Sequence, residues 1–253
     1  MARYQIIIAY DGARFAGSQR QAKSRTVQSV LEEALGCIGW QGDSVLLSGR
    51  TDTGVHAAGQ VAAFDFDWAH SPEDLLRALN AHLPADIAVR AARVVPERFH
   101  PRFDALARRY LYQLYCHPVR DPLRDRTRWR VWPEVNGDLL AEAARELLGT
   151  HDFAAFGSPP RAGGSTVRTV TKAQWRLETD GGWTFEVQAN AFLYRMVRRM
   201  VYVQVAVGLG RIPVEAIRLA LVGQNTLPAG LAPACGLTLA EVVYPDDELV
   251  SKK

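Results

Sequence analysis

Asp180-Gly181-Gly182 stands between two strand-type runs, at about 168 to 178 and 182 to 190. Glycine supplies the positive φ that a tight turn needs, so the two runs read as a hairpin. Outward from it, a strand at about 107 to 117 and a helix at 137 to 148 closed by Gly149 come first. A helix from 191 to about 207, a shorter one from near Pro213 to before Gly223, and a last strand at about 236 to 244 follow. The order β-α-β-β-α-β also describes the start of the chain. There, strand-type runs at about 3 to 10, 44 to 49, 60 to 66 and 87 to 95 alternate with helical stretches at about 26 to 38 and 72 to 81. Ser71-Pro72-Glu73-Asp74 marks one helix start, with an N-cap hydroxyl, proline at the first helical position and acidic groups where exposed amides favour negative charge.

One pattern used twice predicts an α+β protein of two ferredoxin-like (RRM-like) halves. The expected domains are 1–104 and 105–253, with antiparallel sheets backed by helices and a central cleft as the default place for a site. A six-stranded mixed α/β domain with an unrelated tail is the competing architecture.

Composition removes several function classes. The 253 residues are 48% hydrophobic, enough for a substantial core. Apolar stretches are broken well short of the roughly 20 residues that span a bilayer, and MARYQIII has no long apolar leader region. A soluble, cytoplasmic protein with no membrane partner is expected. Cys37, Cys116 and Cys235 are far apart and form no CxxC pair, and no histidine falls in HExxH, so neither a disulfide framework nor a metal site is expected. Basic residues number 30 against 27 acidic, yet only Lys23, Lys172, Lys252 and Lys253 are lysines. The rest are arginines, whose guanidinium groups stack on bases and fork onto phosphates, although a GC-rich coding sequence gives the same bias.

After the apolar run Val45-Leu46-Leu47 comes Ser48-Gly49-Arg50-Thr51-Asp52-Thr53-Gly54-Val55-His56-Ala57. Taken alone, Asp52 reads either as a turn residue or as a reactive carboxylate held ionised by Arg50 two positions away. His56 reads as an organiser of that loop, or as a general base working near neutral pH. GxGxxG, GxxxxGK[ST] and Gly-x-Ser-x-Gly are absent, which removes the usual nucleotide-cofactor and serine-hydrolase supports. Segments 98 to 109 and 120 to 130 interleave arginines with Phe99, Phe103 and Trp129, and Tyr110, Tyr112 and Tyr115 lie close by. Such a mixture suits phosphate contact plus base stacking, or a strand whose rings pack inward while its arginines snorkel. In the expected helix after Asn190, Phe192, Met196, Met200, Val203 and Val207 share one stripe, and Arg195, Arg198 and Arg199 share another face.

These residues together resemble the TruA family of tRNA pseudouridine synthases. Tyr10-Asp11-Gly12 with Phe15, Gly17, Gln19, Arg20 and Gln21 is similar to the family's opening segment, and Gly49 to Val61 carries its most specific motif. Further matches run in family order through Leu79-Asn80, Leu83 to Ile87, Phe99 to Phe103, Ala107 to Tyr112, His151 to Phe156, Thr166 to Val170, Phe192 to Arg199 and Gly236 to Leu239. The resemblance implies an isomerase that converts uridine to pseudouridine in the 3' part of the tRNA anticodon loop and stem. It also implies tRNA as partner, a homodimer, and neither metal nor organic cofactor.

By the same resemblance Asp52 is the nucleophile, and Tyr110 packs on the target base and takes part in proton removal at C5. Arg198 pairs with Asp52 or stabilises negative charge, and Leu237 forms an apolar pocket wall. Arg14, Arg20, Arg102, Arg108, Arg109, Arg168, Arg195 and Arg199 are candidate tRNA contacts. The sequence departs from the family pattern at Ser18, where tryptophan is frequent, at Asp104, where a small hydroxyl residue is common, and at Arg199, where asparagine is frequent. Loss of the ring at Ser18 predicts looser local packing or a missing RNA contact. Two other classes share some of these features: a catalytically silent RNA-binding protein, and a tRNA nuclease, which would cleave the backbone.

Overall fold

The computed structural model describes residues 1–245, so the end of the expected second domain, 246–253, with Lys252 and Lys253, lies outside the described residues. The chain forms two compact units: Met1–Leu106 together with the chain from Leu239, and Ala107–Thr238.

In the first unit the elements are β1 (Ala2–Tyr10), α1 (Val27–Cys37), β2 (Leu46–Leu47), β3 (His56–Phe66), α2 (Pro72–His82) and β4 (Ile87–Val95), joined from Leu239 onward by the end of β10 (Leu237–Val243). β1 pairs antiparallel with both β4 and β3, β2 pairs with β3, and β10 also neighbours β3. Alternation along β1 buries Tyr4, Ile6, Ile8 and Tyr10 on one face. Opposite Ile6 stands Ala62, small and fully buried. From the helices, Val27, Leu31, Leu35, Leu75 and Leu79 are buried, each large side chain contributing about 1.5–3 kcal/mol of hydrophobic stabilisation. α2 begins as its sequence indicates, with Ser71 and Asp74 forming a reciprocal capping box and Pro72 at the first position. Asn80 on α2 donates to the Val89 carbonyl and accepts from the Val89 amide, both at 2.8 Å, so its amide stands in for a strand partner of β4.

The second unit holds β5 (Ala107–Cys116), β6 (Trp129–Val131), α3 (Gly137–Arg145), β7 (Gly149–Asp152), β8 (Val167–Leu177), β9 (Gly182–Ala189), α4 (Met196–Gly208) and α5 (Glu215–Leu221). The strand order is β5-β9-β8-β7, antiparallel throughout, with β6 parallel to β5. The hairpin forms where expected: Gly181 has φ +75°, and Asp180 Oδ1 accepts from the Gly182 amide at 3.0 Å. On the helix side Trp175, Phe185, Val187, Met200, Val203 and Val207 are buried, and the Trp175 indole donates to Gln204 at 2.9 Å.

Three details depart from the sequence expectation. The sheets are mixed, because β6 runs parallel to β5. β6 and β7 are additional strands, too short to show a period in the sequence. α4 starts at Met196, not at 191, because Arg195 adopts the left-handed conformation (φ 61°, ψ 8°) and the Tyr194 amide donates to the Ser158 carbonyl at 2.9 Å. Phe192 and Arg195 are therefore outside the helix whose faces they were expected to extend.

On β9, Glu186 is buried within reach of Arg109 (3.3 Å), Lys172 (3.0 Å) and Arg176 (3.3 Å). Burial pushes its carboxyl up, but the Lys172 hydrogen bond and charge, with Gln174 and Arg176, outweigh this and hold it below the ordinary value. The resulting stability is present above the unfolded pKa and is lost as pH falls through the folded one. Glu186→Gln should cost about 1–2 kcal/mol at neutral pH, a modest figure because Lys172 and Arg176 are half exposed and can rehydrate. Thermal denaturation should show the gap to the parent protein closing below about pH 4.

Candidate active site

Asp52 lies half-buried in the turn between β2 and β3. Its neighbours are fixed from several sides. Thr51 is held at three atoms: its amide donates to Ser18 Oγ at 2.8 Å, its carbonyl accepts from the Ser18 amide at 3.1 Å, and its hydroxyl pairs with Tyr10 Oη at 2.8 Å. Downstream, the Val55 amide donates to the Asp52 carbonyl at 3.1 Å, closing the turn, and the Gly54 amide donates to the Phe15 carbonyl at 3.4 Å. Upstream, Gln60 is fully buried; it accepts from Ser48 Oγ at 2.6 Å and donates to the Gly49 carbonyl at 3.0 Å. A polar network of this kind, bonded inside a low-dielectric interior, resists rearrangement of the loop.

Glycine is required where this network is tightest. A β-carbon on Gly12 would sit 2.0 Å from the Val55 carbonyl oxygen, and one on Gly17, at φ +93°, would sit 2.9 Å from the Thr51 carbonyl oxygen. His56 opens β3, buried, with Nδ1 3.0 Å from the Gly12 amide and 3.1 Å from Asp11 Oδ1. Its visible contacts are thus to the opening segment of the chain. Arg50 is exposed and forms no ion pair with Asp52 among the described residues. The expected Arg50–Asp52 pair is therefore not made.

In the second unit Tyr110 lies on β5, half-buried, with its ring edge-on to Phe192 at 5.1 Å between centroids. Arg198, in the first turn of α4, donates through Nε to the Ala232 carbonyl at 2.8 Å, and the Ala232 amide donates back to the Arg198 carbonyl at 3.2 Å. Leu237 is buried at the start of β10.

The candidate RNA-contacting arginines separate by what their forks already hold. Arg199 donates to the carbonyls of Leu227, Pro228 and Gly230, so the residue that departs from the family pattern pins a loop of its own unit; burial lowers its pKa. Arg168 donates to the Ser165 and Val167 carbonyls, Arg108 to the Asn190 carbonyl, and Arg109 to Glu186. Arg20 pairs with Glu32 at 2.9 Å and lines an open recess of about 650 Å³ with Arg25, Ser24 and Ser29. Arg102 lies 5.7 Å from the Phe103 ring centroid, and Arg195 4.7 Å from that of Tyr194. Arg14 is exposed in the single helical turn after Asp11. Asp104 accepts from the His100 amide at 2.9 Å and closes the turn between them. Burial raises the thiols of Cys116 and Cys235, opposite to what a thiolate nucleophile needs. Among the described residues no group of three or more His, Cys, Asp or Glu could hold a metal ion, and no helix is long and apolar enough to cross a membrane.

A family model described as tRNA pseudouridine synthase matches residues 6–104 and 143–245, a span that includes the Asp52 loop, β8, β9 and α4 but not β5 with Tyr110. The tRNA pseudouridine synthase A of Methylacidiphilum infernorum is 43% identical over 247 residues, covering 97% of this chain and 96% of the relative. The chain belongs to the TruA family of tRNA pseudouridine synthases. Its counterparts from Burkholderia ambifaria (41% over 248 residues, 96% of this chain and 90% of the relative) and Syntrophotalea carbinolica (39% over 254 residues, 99% of each) agree.

Sequence reasoning about this TruA-family chain missed four supports of the loop: Tyr10, Ser18, Thr51 and Gln60. Ser18 in particular does not loosen packing; it is fully buried and bonded to Thr51. Only Tyr10 carried a usable signal, as a polar-tipped residue continuing the buried alternation of Ile6 and Ile8. Burial pushes its phenol up to about 12, against the smaller opposite effect of hydrogen bonds to Thr51 and Gln60. Folding therefore favours the protonated phenol, and the stability it contributes is full below the unfolded value near 10 and lost as pH rises toward 12. Tyr10→Phe should be less stable than the parent at neutral pH by about 1 kcal/mol. It should also lack about 2 kcal/mol of the parent's loss between pH 10 and 12, read by denaturant titration across that range.

Proposed function

We propose that the protein isomerises uridine to pseudouridine in the 3' part of the tRNA anticodon loop and stem, with Asp52 as nucleophile. As a TruA-family member it is an isomerase of the tRNA pseudouridine synthase class. The observation that carries the finer reading is the clamp around Asp52. Residues on either side of one carboxylate are fixed at backbone level by an opening segment that also anchors the start of α1, where the Gly17 and Ser18 carbonyls accept from Val27 and Gln28. Pre-organised geometry of that kind is what a nucleophile requires and what an ordinary surface turn does without.

Uridine must leave the base stack before protein groups can surround its glycosidic bond. The Asp52 carboxylate then forms a bond either to the ribose anomeric carbon, displacing uracil, or to uracil C6, which makes N1 a better leaving group. The bond from N1 to the anomeric carbon breaks, the captive base turns, and C5 bonds to the sugar. Loss of the C5 proton restores the uracil ring, and the aspartyl bond is released. Atoms are conserved overall, so no external reagent is consumed.

Tyr110, half-buried and set against Phe192, offers a ring for the base and a hydroxyl for the C5 proton. Arg198, held by Ala232, supplies positive charge to the aspartate or to the developing anion, and Leu237 an apolar wall. Arg50, exposed and unpaired with Asp52, suits a phosphate contact better than control of the aspartate's charge. Arg14, Arg20, Arg102, Arg108, Arg109, Arg168 and Arg195 are proposed to meet tRNA phosphates, Arg199 to shape the loop beside α4. The ferredoxin-like reading of the first unit is supported by the order β4-β1-β3, with β2 pairing on β3. A homodimer without cofactor is part of the proposal.

Asp52→Asn should bind tRNA normally and lose at least about a thousandfold in turnover. The assay is derivatisation that marks pseudouridine in an unmodified tRNA transcript, followed by sequencing. Near-normal isomerisation by folded Asp52→Asn would remove Asp52 from the nucleophile role, and a cleaved transcript would indicate a nuclease. Tyr110→Phe should retain tRNA affinity and slow product formation; an unchanged rate would limit Tyr110 to stacking.

A further inference from the structure

The Ser18 side chain is fully buried, and its oxygen accepts the Thr51 amide at 2.8 Å. We propose that Ser18 is a positioning residue for Asp52, acting through the two peptide planes that flank Thr51. The Thr51 amide belongs to the plane shared with Arg50, and the Thr51 carbonyl to the plane shared with Asp52. Ser18 Oγ fixes the first and the Ser18 amide, at 3.1 Å, fixes the second. Both soft torsions of Thr51 are thereby set from one residue on another segment, and the Tyr10 hydroxyl holds the threonine side chain as a third point.

The amide bond of Ser18 survives any substitution that keeps the backbone. The hydroxyl does not. Thr51 is buried, so without the Ser18 oxygen its amide either stays unsatisfied or rotates toward water. Rotation turns the plane on which Asp52 is hung, and small displacements of a reacting group are costly to catalysis. The Gly17 contact supports the same reading: with φ +93° and no space for a β-carbon beside the Thr51 carbonyl, the segment approaches the loop as closely as backbone allows. A serine oxygen at position 18 then bridges the remaining gap to the Thr51 amide.

The inference rests on Asp52 being the nucleophile. Ser18→Ala, Ser18→Thr and Asp52→Asn are compared in single-turnover and steady-state assays on an unmodified tRNA transcript, with thermal denaturation of each protein. Expected for Ser18→Ala is a fall in kcat of roughly tenfold to a hundredfold, with KM for tRNA within about twofold and only a small change in Tm. Ser18→Thr, which keeps the acceptor, should recover most of that loss. If Ser18→Ala fails to fold, Ser18→Cys replaces it; a weak acceptor of similar size should show the same kcat deficit.

Unchanged kcat in Ser18→Ala or Ser18→Cys, with Asp52→Asn inactive, would overturn the Ser18 role and leave the nucleophile in place. An active Asp52→Asn would overturn both. A kcat deficit that vanishes once the loss is corrected for the fraction of folded protein, or that the threonine variant does not relieve, would reduce Ser18 to a structural hydroxyl and end the proposal.

Discussion

The Val55 carbonyl lies so close to Gly12 that a β-carbon there would meet its oxygen at 2.0 Å. This backbone-to-backbone contact is the constraint on which the candidate site depends. β1 and β3 pair side by side up to Tyr10 opposite Ala57, with a register shift between Ile8 and Tyr10. Beyond that point the two chains stop exchanging ladder bonds, yet they do not separate. The segment after β1 stays against the segment before β3, substituting Gly12, Gly17 and Ser18 contacts for the missing ladder. A turn supported only by its own strand would move with every fluctuation at the sheet edge. This one is framed by a second length of chain.

The same two strands show how an apolar core gives way to a polar support. Ile6 faces Ala62, Ile8 faces Gln60, and Tyr10 comes next. The buried stripe thus changes chemistry within two residue pairs, from aliphatic packing to Tyr10, Thr51, Gln60 and Ser48 joined by hydrogen bonds. Burying these groups unpaired would cost more than the fold gains from the same number of methylenes. Paired, they resist rearrangement, because shifting any one leaves another unsatisfied. The raised pKa of Tyr10 expresses this: its surroundings accept a neutral hydroxyl and not an ion.

Much of the architecture was legible because it is written in local chemistry. The Ser71 cap, the Gly181 turn and the alternation in β1 are decided by residues within a few positions of one another. What escaped is set by distant partners. α4 is shortened by Tyr194 pairing with Ser158, and no pattern within 191–195 announces a left-handed Arg195. β6 and β7 are strands because a neighbour offers them a ladder, and their three or four residues are too few to show periodicity. At the candidate site the motif around Asp52 was evident, while its supports were not. Ser18 reads as a missing tryptophan until the Thr51 amide is seen pointing at it.

Arginine composition illustrates the same limit with functional weight. In sequence Arg199, Arg168, Arg109, Arg50 and Arg14 are equivalent cations. In the fold, Arg199 spends its fork on three carbonyls and Arg109 on Glu186, while Arg50 and Arg14 project outward. A guanidinium that donates to carbonyls keeps its charge but surrenders the donors that would form a bidentate phosphate contact. Arg199 therefore shapes the loop that runs through Leu227, Pro228 and Gly230, whereas Arg50 and Arg14 stay exposed to solvent. Residue type alone does not separate these two kinds of arginine; the carbonyls and carboxylates that the fold brings to each guanidinium do.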